Sequence, residues 1–331
     1  MLPLKPIIVR KNKSSALKRC NFGCLTGFHA INVTNGCMHY CVYCYARGYS
    51  NAPPKGVVEL YSNLPDLIKK ELDNSRRRKV PAFVIFNTAS DCFQPHPDIL
   101  SITYMCMEEL LKRGVSISFL TKGYIPDYFI SLFSGKKRLI RVQIGLVSLD
   151  RFYTSRFEPY APLPEDRLNN IERLCSASII PEIRIDPIIP FFTDTTDNIK
   201  PLLYKLKQFS IKKVILNYLH IRPSILDNLR NELGSKEIKI LEACYSNRPW
   251  QRVGTSTTSK LLPPKLRKKG YERIKLIAQS MGIEATVCHC KNPDIPASLC
   301  VSYKKREHLP KQLMLFDQSK EKANTNNFVH I

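Results

Sequence analysis

Six times between residues 30 and 230 the sequence passes from a short β-branched or aromatic run to a longer stretch whose apolar residues recur at helical spacing. The short runs are 30–34, 82–86 (AFVIF), 115–120 (VSISFL), 139–147, 181–189 and 213–219 (KVILNYL). The clearest helical stretches are 97–113, closed by Gly114, then 125–133, 164–177 and 195–208. Strands separated by helices of this length form βαβ units, so the sheet is expected to be parallel and the fold α/β. The alternation alone fits a doubly wound sheet as well as a partial barrel. With 331 residues, 44% of them apolar, the chain can bury one large core and carry an extension. No run approaches the roughly 18 apolar residues of a membrane span, so no membrane partner is expected.

Just after the first of these strands lies GCMHYCVYCY, residues 36–45. It sets Cys37, Cys41 and Cys44 in a C-x3-C-x2-C pattern, close enough in sequence to converge on one metal centre. A structural zinc site takes four ligands, and ferredoxin clusters take four thiolates at other spacings. Three thiolates on a [4Fe-4S] cube leave one iron without a protein ligand, which is a place for chemistry.

The spacing, with Tyr43 as the aromatic before the third Cys, resembles the signature of the radical S-adenosylmethionine (SAM) superfamily. The wider run GCMHYCVYCYARGY resembles the branch of spore photoproduct lyase and its DNA repair photolyase-like relatives. The resemblance implies a partial (β/α)6 TIM-like barrel with a Cys-containing C-terminal extension. It implies a cluster on Cys37, Cys41 and Cys44, and reductive cleavage of S-adenosyl-L-methionine to a 5′-deoxyadenosyl radical. A reductant such as flavodoxin or ferredoxin is then a partner.

In a barrel, catalytic groups sit where strands end. Residues 87–91 (NTASD), 121–123 (TKG) and 148–150 (SLD) follow three of the expected strands. A carboxylate and a Lys meeting there suit the ammonium and carboxylate of an amino acid. The resemblance places Ser90, Asp91 and Lys122 against the methionine part of the cofactor and Ser148 near its ribose, and Tyr43 is expected among the cofactor-binding residues as well. Arg184 and Asp186 flank Ile185 and so share one face of the fifth strand. Either the pair serves the site, with Arg184 on the cofactor side, or it is a structural ion pair with Glu158 and Arg167 as further members. One departure stands out: spore photoproduct lyases carry a hydrogen-returning Cys where this chain has Thr88. An O–H bond is too strong to replace a thiol in that role, and Cys92 serves only if its loop turns it inward.

Twelve Cys with metal-type spacing fit a reducing compartment, and a cytoplasmic location is expected. Cys288, Cys290 and Cys300 (C-x-C-x9-C), with the close pair Cys20 and Cys24, offer thiolates for an auxiliary Fe–S cluster or a zinc ion. The net charge of +23 favours a polyanion, and nucleic acid is the expected partner. Near the C-terminus QLMLF (Gln312, Leu313, Leu315 and Phe316 as anchors) resembles the peptide by which bacterial DNA-maintenance proteins dock on the sliding clamp.

The organisation expected is a basic N-terminal arm (1–29), the barrel (30–250), an extension with the second Cys group (251–301) and a flexible tail (302–331). The first reading is a radical SAM enzyme acting on DNA or a nucleic-acid component, in a repair-like lyase reaction. A second keeps the chemistry but moves it to a tRNA, peptide or small metabolite. A third, from another class, is a non-catalytic Fe–S or zinc nucleic-acid adaptor.

Overall fold

Short runs of three to seven residues, most of them apolar, become the parallel strands of one sheet. The computed structural model describes residues 6–74, 79–253, 257–297 and 308–310. Its principal strands are β1 (His29–Ile31), β2 (Phe83–Phe86), β3 (Ser116–Thr121), β4 (Ile140–Gly145), β5 (Glu182–Ile188), β6 (Lys213–Tyr218) and β7 (Glu284–Val287). They lie in the order β7-β6-β5-β4-β3-β2-β1, all neighbours parallel, with Lys18–Arg19 antiparallel at the outer edge of β1. Among the described residues no pairing joins the two ends, so the hydrogen-bonded ladder stays open. The expected α/β class with a parallel sheet is the fold observed.

Helices cover the sheet because their apolar stripes must be buried. The helix Pro97–Lys112 buries Ile99, Ile102, Cys106, Met107, Leu110 and Leu111 at three- and four-residue intervals. Its start is set by Pro97 and by His96, whose side chain accepts a hydrogen bond from the Asp98 amide. Thr195 caps the helix Thr196–Gln208 in the same way, through the Asn198 amide. Strand β6 is buried along nearly its whole length, as a strand covered on both faces must be.

Two expected boundaries differ from the structure. The N-terminal segment is not a bare arm. Ile7–Lys11 pairs in parallel with Val57–Tyr61, and the Glu71 carboxylate accepts from the Ala16 and Leu17 amides, which buries both residues. Its β-branched run, rather than its charge, decides this. The extension is not separate either: the helix Pro264–Ser280 crosses over and delivers β7 to the edge of β6 in register Lys213↔Glu284 to Leu216↔Val287. Within the expected tail, His308–Pro310 pairs antiparallel with Lys79–Pro81. Gln312, Leu313, Leu315 and Phe316 lie outside the described residues, as does Cys300.

Candidate active site

At the C-terminal ends of the parallel strands a single cavity of about 1110 Å³ opens. Its wall takes Cys37, Cys41 and Cys44 from the loop after β1, Ser90 and Asp91 from the loop after β2, and Lys122 from the end of β3. Arg184 and Asp186 of β5 and Cys290 and Lys291 beyond β7 complete the far side. Residues as distant in sequence as Asn21 and Lys291 thus share one chamber because parallel strands present all their carboxyl ends together.

The Cys hook is held from behind by a buried ion pair. Arg167 Nη2 lies 2.5 Å from Glu158 Oε2, with the two side chains 1% and 0% exposed. Glu158 also accepts the hydroxyl of Tyr43, and the Val42 amide donates to the Phe157 carbonyl at 3.0 Å. Arg167 in turn donates to the carbonyls of Gly145 and Pro162, both at 3.0 Å. Burial works to raise the Glu158 carboxyl, but Arg167 and then Lys122 outweigh it and hold the group below the ordinary carboxylate range. Glu158 and Arg167 therefore pair with each other and support the hook; an ion pair at these residues is legible in the sequence, but its place under the hook is not. They belong to the segment 158–167, but nothing local shows that it folds under the hook.

Asp91 faces the cavity with most of its acceptor capacity already used. Its carboxylate accepts from Thr121 Oγ1 at 2.6 Å and from the amides of Lys122 at 2.8 Å and Phe93 at 2.9 Å. A carboxylate offers about four lone-pair sites, so at most one is left for a ligand. Asp91 fixes the 121–123 turn and with it Lys122. Ser90 Oγ stands 2.9 Å from Thr34 Oγ1 and accepts from Asn87 Nδ2, also at 2.9 Å.

Burial works to lower the Lys122 ammonium, but Glu158, Cys41 and Asp186 together hold it above its usual value, so it enters the cavity as a cation. Its stem lies across β4, where Gly145 leaves room: a Cβ there meets Lys122 Cγ at 3.0 Å and Nζ at 3.3 Å. Asp186 is gripped by Arg184 and Lys291, each at 2.8 Å. Burial alone raises the Asp186 carboxyl, but Lys291 and then Arg184 more than offset it and drive it far below the usual range. His220, on the same wall, is pushed down to about 3 by burial and then by Lys291, and so is neutral at pH 7.

Two expected residues do not reach the chamber. Cys92 is 0% exposed and packs in the main core beside Phe93, so no turn of the loop brings it inward. Ser148 is buried against Asn198 and accepts from the Asp150 amide at 3.0 Å, fastening the loop after β4 to the helix Thr196–Gln208. Thr88 lines the cavity, and its carbonyl accepts from the Tyr45 hydroxyl.

The second Cys group separates as well. The Sγ atoms of Cys24, Cys288 and Cys290 lie within 4.8 Å of one another, the one such set of three His, Cys, Asp or Glu ligand atoms among the described residues. Cys20 stands apart from it, packed with Ala30 and Ile85.

Residues 31–205 match the radical SAM superfamily. An uncharacterized protein of Methanocaldococcus jannaschii is 27% identical over 172 residues, 50% of this chain and 62% of that one. A radical SAM Nα-GlyT isomerase of Pseudomonas phage M6 is 20% identical over 258 residues, 76% of this chain and 52% of its own length. The chain thus spans less than two thirds of each of these two relatives. Spore photoproduct lyase shares the fold, with a TM-score of 0.64 at 16% identity over 86% of this chain and 82% of that one. The same values hold for that enzyme complexed with a dinucleoside spore photoproduct, and for a form that also binds AdoMet.

Enzymes of this superfamily work with a [4Fe-4S] cluster and S-adenosylmethionine. The donor set fits such a group. Its three thiols share the cavity wall, and a cube takes each thiolate on a different iron and leaves one iron open toward the cavity. Burial, then the charge of Glu158, pushes Cys41 up to about 12, so its thiolate is stable only beside a cation such as a metal centre. With a family match that spans more than half of its length, on a fold shared with spore photoproduct lyase, the chain belongs to the radical SAM superfamily of enzymes.

Proposed function

We propose that the chain is a radical SAM enzyme whose substrate is DNA or a nucleic-acid component. The observation that carries the substrate half is the size and furnishing of the cavity. Its roughly 1110 Å³ exceeds the ~300–1,000 Å³ usual for a single small ligand, leaving room for a nucleotide beside the cofactor. Tyr45 and Tyr49 line it with rings each 38% exposed, set edge to face at 5.8 Å, and the Arg222 guanidinium lies 4.9 Å from the Tyr45 ring. Aromatic faces beside Arg are what an unstacked base packs against. The net charge of +23 supplies the attraction to phosphate. The dinucleoside held by spore photoproduct lyase supports the same class of substrate.

Cys37, Cys41 and Cys44 would hold the cluster, and Ser90, Lys122 and Arg184 would contact S-adenosylmethionine, with Asp91 as the positioning residue for Lys122. When bound, this pair supplies a 5′-deoxyadenosyl radical that takes a hydrogen atom from a substrate carbon. Lys122, held as a cation, is suited to the carboxylate of the methionine moiety. Thr88 cannot return a hydrogen atom as a thiol can, which separates this reaction from spore-lesion reversal.

The test is anaerobic reconstitution with a flavodoxin or ferredoxin reductant, followed by assay for 5′-deoxyadenosine with DNA, RNA or nucleosides added. Cleavage stimulated by DNA, and DNA binding that weakens steeply with salt, are expected. Stimulation by peptides or small metabolites alone would sink the nucleic-acid reading. A narrower test addresses Lys122. Gly145→Ala pushes its stem aside and is expected to weaken S-adenosylmethionine binding about thirtyfold, or ~2 kcal/mol, within the ~1.5–3 kcal/mol of a hydrogen bond to a charged group. Calorimetric titration of cluster-loaded protein reads this directly, and unchanged affinity would remove Lys122 from the cofactor contacts.

A further inference from the structure

Cys24, Cys288 and Cys290 reach one point from opposite ends of the chain. Cys24 sits in the turn Gly23–Leu25, Cys288 directly follows β7, and Cys290 is in the turn His289–Lys291. Their sulfurs are 2.9 Å apart for Cys24–Cys290 and for Cys288–Cys290, and 3.5 Å for Cys24–Cys288. Cys288 is 0% exposed against Ile215, while Cys24 and Cys290 are half-buried on the wall of the active-site cavity. We infer that this triad binds a single thiophilic divalent ion, zinc, as a second metal centre distinct from the Cys37–Cys41–Cys44 hook.

The spacing decides between the two kinds of thiolate site. Around one tetrahedral zinc with bonds of about 2.3 Å, sulfurs stand about 3.8 Å apart, so the triad needs only a small opening. A cube sets each sulfur on its own iron and demands a wider frame than the triad's 2.9–3.5 Å. All three sulfurs converge on one point, and each pair stands beyond the ~2.05 Å of a disulfide bond. Thiolates also select zinc over the hard cations that prefer oxygen.

The site staples residues 264 positions apart, tying the N-terminal hairpin to the end of β7. Next to Cys290, Lys291 grips Asp186, so the ion also braces the cavity wall that carries Arg184. Zinc here is independent of the radical chemistry and can be read without any turnover.

Zinc, iron and sulfide are to be counted in the anaerobically purified full chain, in Cys24→Ser/Cys288→Ser/Cys290→Ser and in Cys37→Ala/Cys41→Ala/Cys44→Ala. One zinc per chain is expected in the parent and in the hook variant, and none in the triad variant, which keeps its iron. Because the triad variant can lose its fold, zinc-edge X-ray absorption of the parent supplies a second reading. A shell of sulfur neighbours at about 2.3 Å is expected there. A parent without zinc, a triad variant that loses iron and sulfide while the parent holds no zinc, or a disulfide within the triad would each overturn the assignment.

Discussion

Arg167→Leu is expected to lower the stability of the fold by about 3–5 kcal/mol, the cost of removing one member of a buried ion pair. The change leaves Glu158, 0% exposed, as a charge without its cation, and it strips the Gly145 and Pro162 carbonyls of their donor. The pH dependence separates this cause from lost packing. In the parent, the Glu158 carboxyl is held below its unfolded value of about 4.3, so its contribution is present above that value and disappears as pH falls through the folded one. Without Arg167, burial, the largest influence on the carboxyl, is opposed only by Lys122 and the Tyr43 hydroxyl and is expected to raise it, so stability should fall as pH rises through the new value. Glu158→Leu/Arg167→Leu removes both charges and should recover a large part of the loss, with Tyr43 still short of an acceptor. Urea unfolding at pH 5 and pH 7 measures all three proteins. A loss under about 1 kcal/mol in the single variant would mean that the pair contributes little.

The parallel sheet was legible because its strands are short, apolar and bounded by amphipathic helices, a pattern carried by each segment alone. Strand β7 was not. Its four residues, EATV, are half polar, and only their pairing with β6 makes them a strand. The N-terminal segment misled by its charge, since six basic side chains can stay in water while Ile7, Ile8 and Val9 direct the backbone into a sheet. The hook was legible because its ligands are neighbours in sequence. Asp91 shows the opposite case: residue type and position suggest a ligand contact, but the partners that occupy its oxygens include Thr121 and Lys122, 30 and 31 residues away. Cys20 and Cys24 look like one pair, but the hairpin between them keeps Cys20 with Ala30 and Ile85 at its base, while Cys24 at its tip meets Cys288 and Cys290. Distances that chain folding sets cannot be read from spacing.

Cys41→Ala is expected to abolish both cluster retention at the hook and cleavage of S-adenosylmethionine, with zinc at the triad unchanged. The fold should survive, because the anchors of the hook are its neighbours: Tyr43 on Glu158, and the Val42 amide on the Phe157 carbonyl. Removing a ligand and removing its support then differ in size. Tyr43→Phe keeps all three thiolates but frees Glu158 of its hydroxyl donor, and a supporting contact of this kind costs about 10–100-fold in metal affinity. Its cluster should therefore load at high iron and be lost on dilution, whereas Cys41→Ala should not load at any iron concentration tested. Iron and sulfide counts after reconstitution, followed by the 5′-deoxyadenosine yield per chain, rank the two variants. If Cys41→Ala still holds a cluster and still cleaves S-adenosylmethionine, the hook is not where the chemistry takes place. The cavity at the strand ends would then need another metal, for which Cys24, Cys288 and Cys290 are the remaining converged thiols among the described residues.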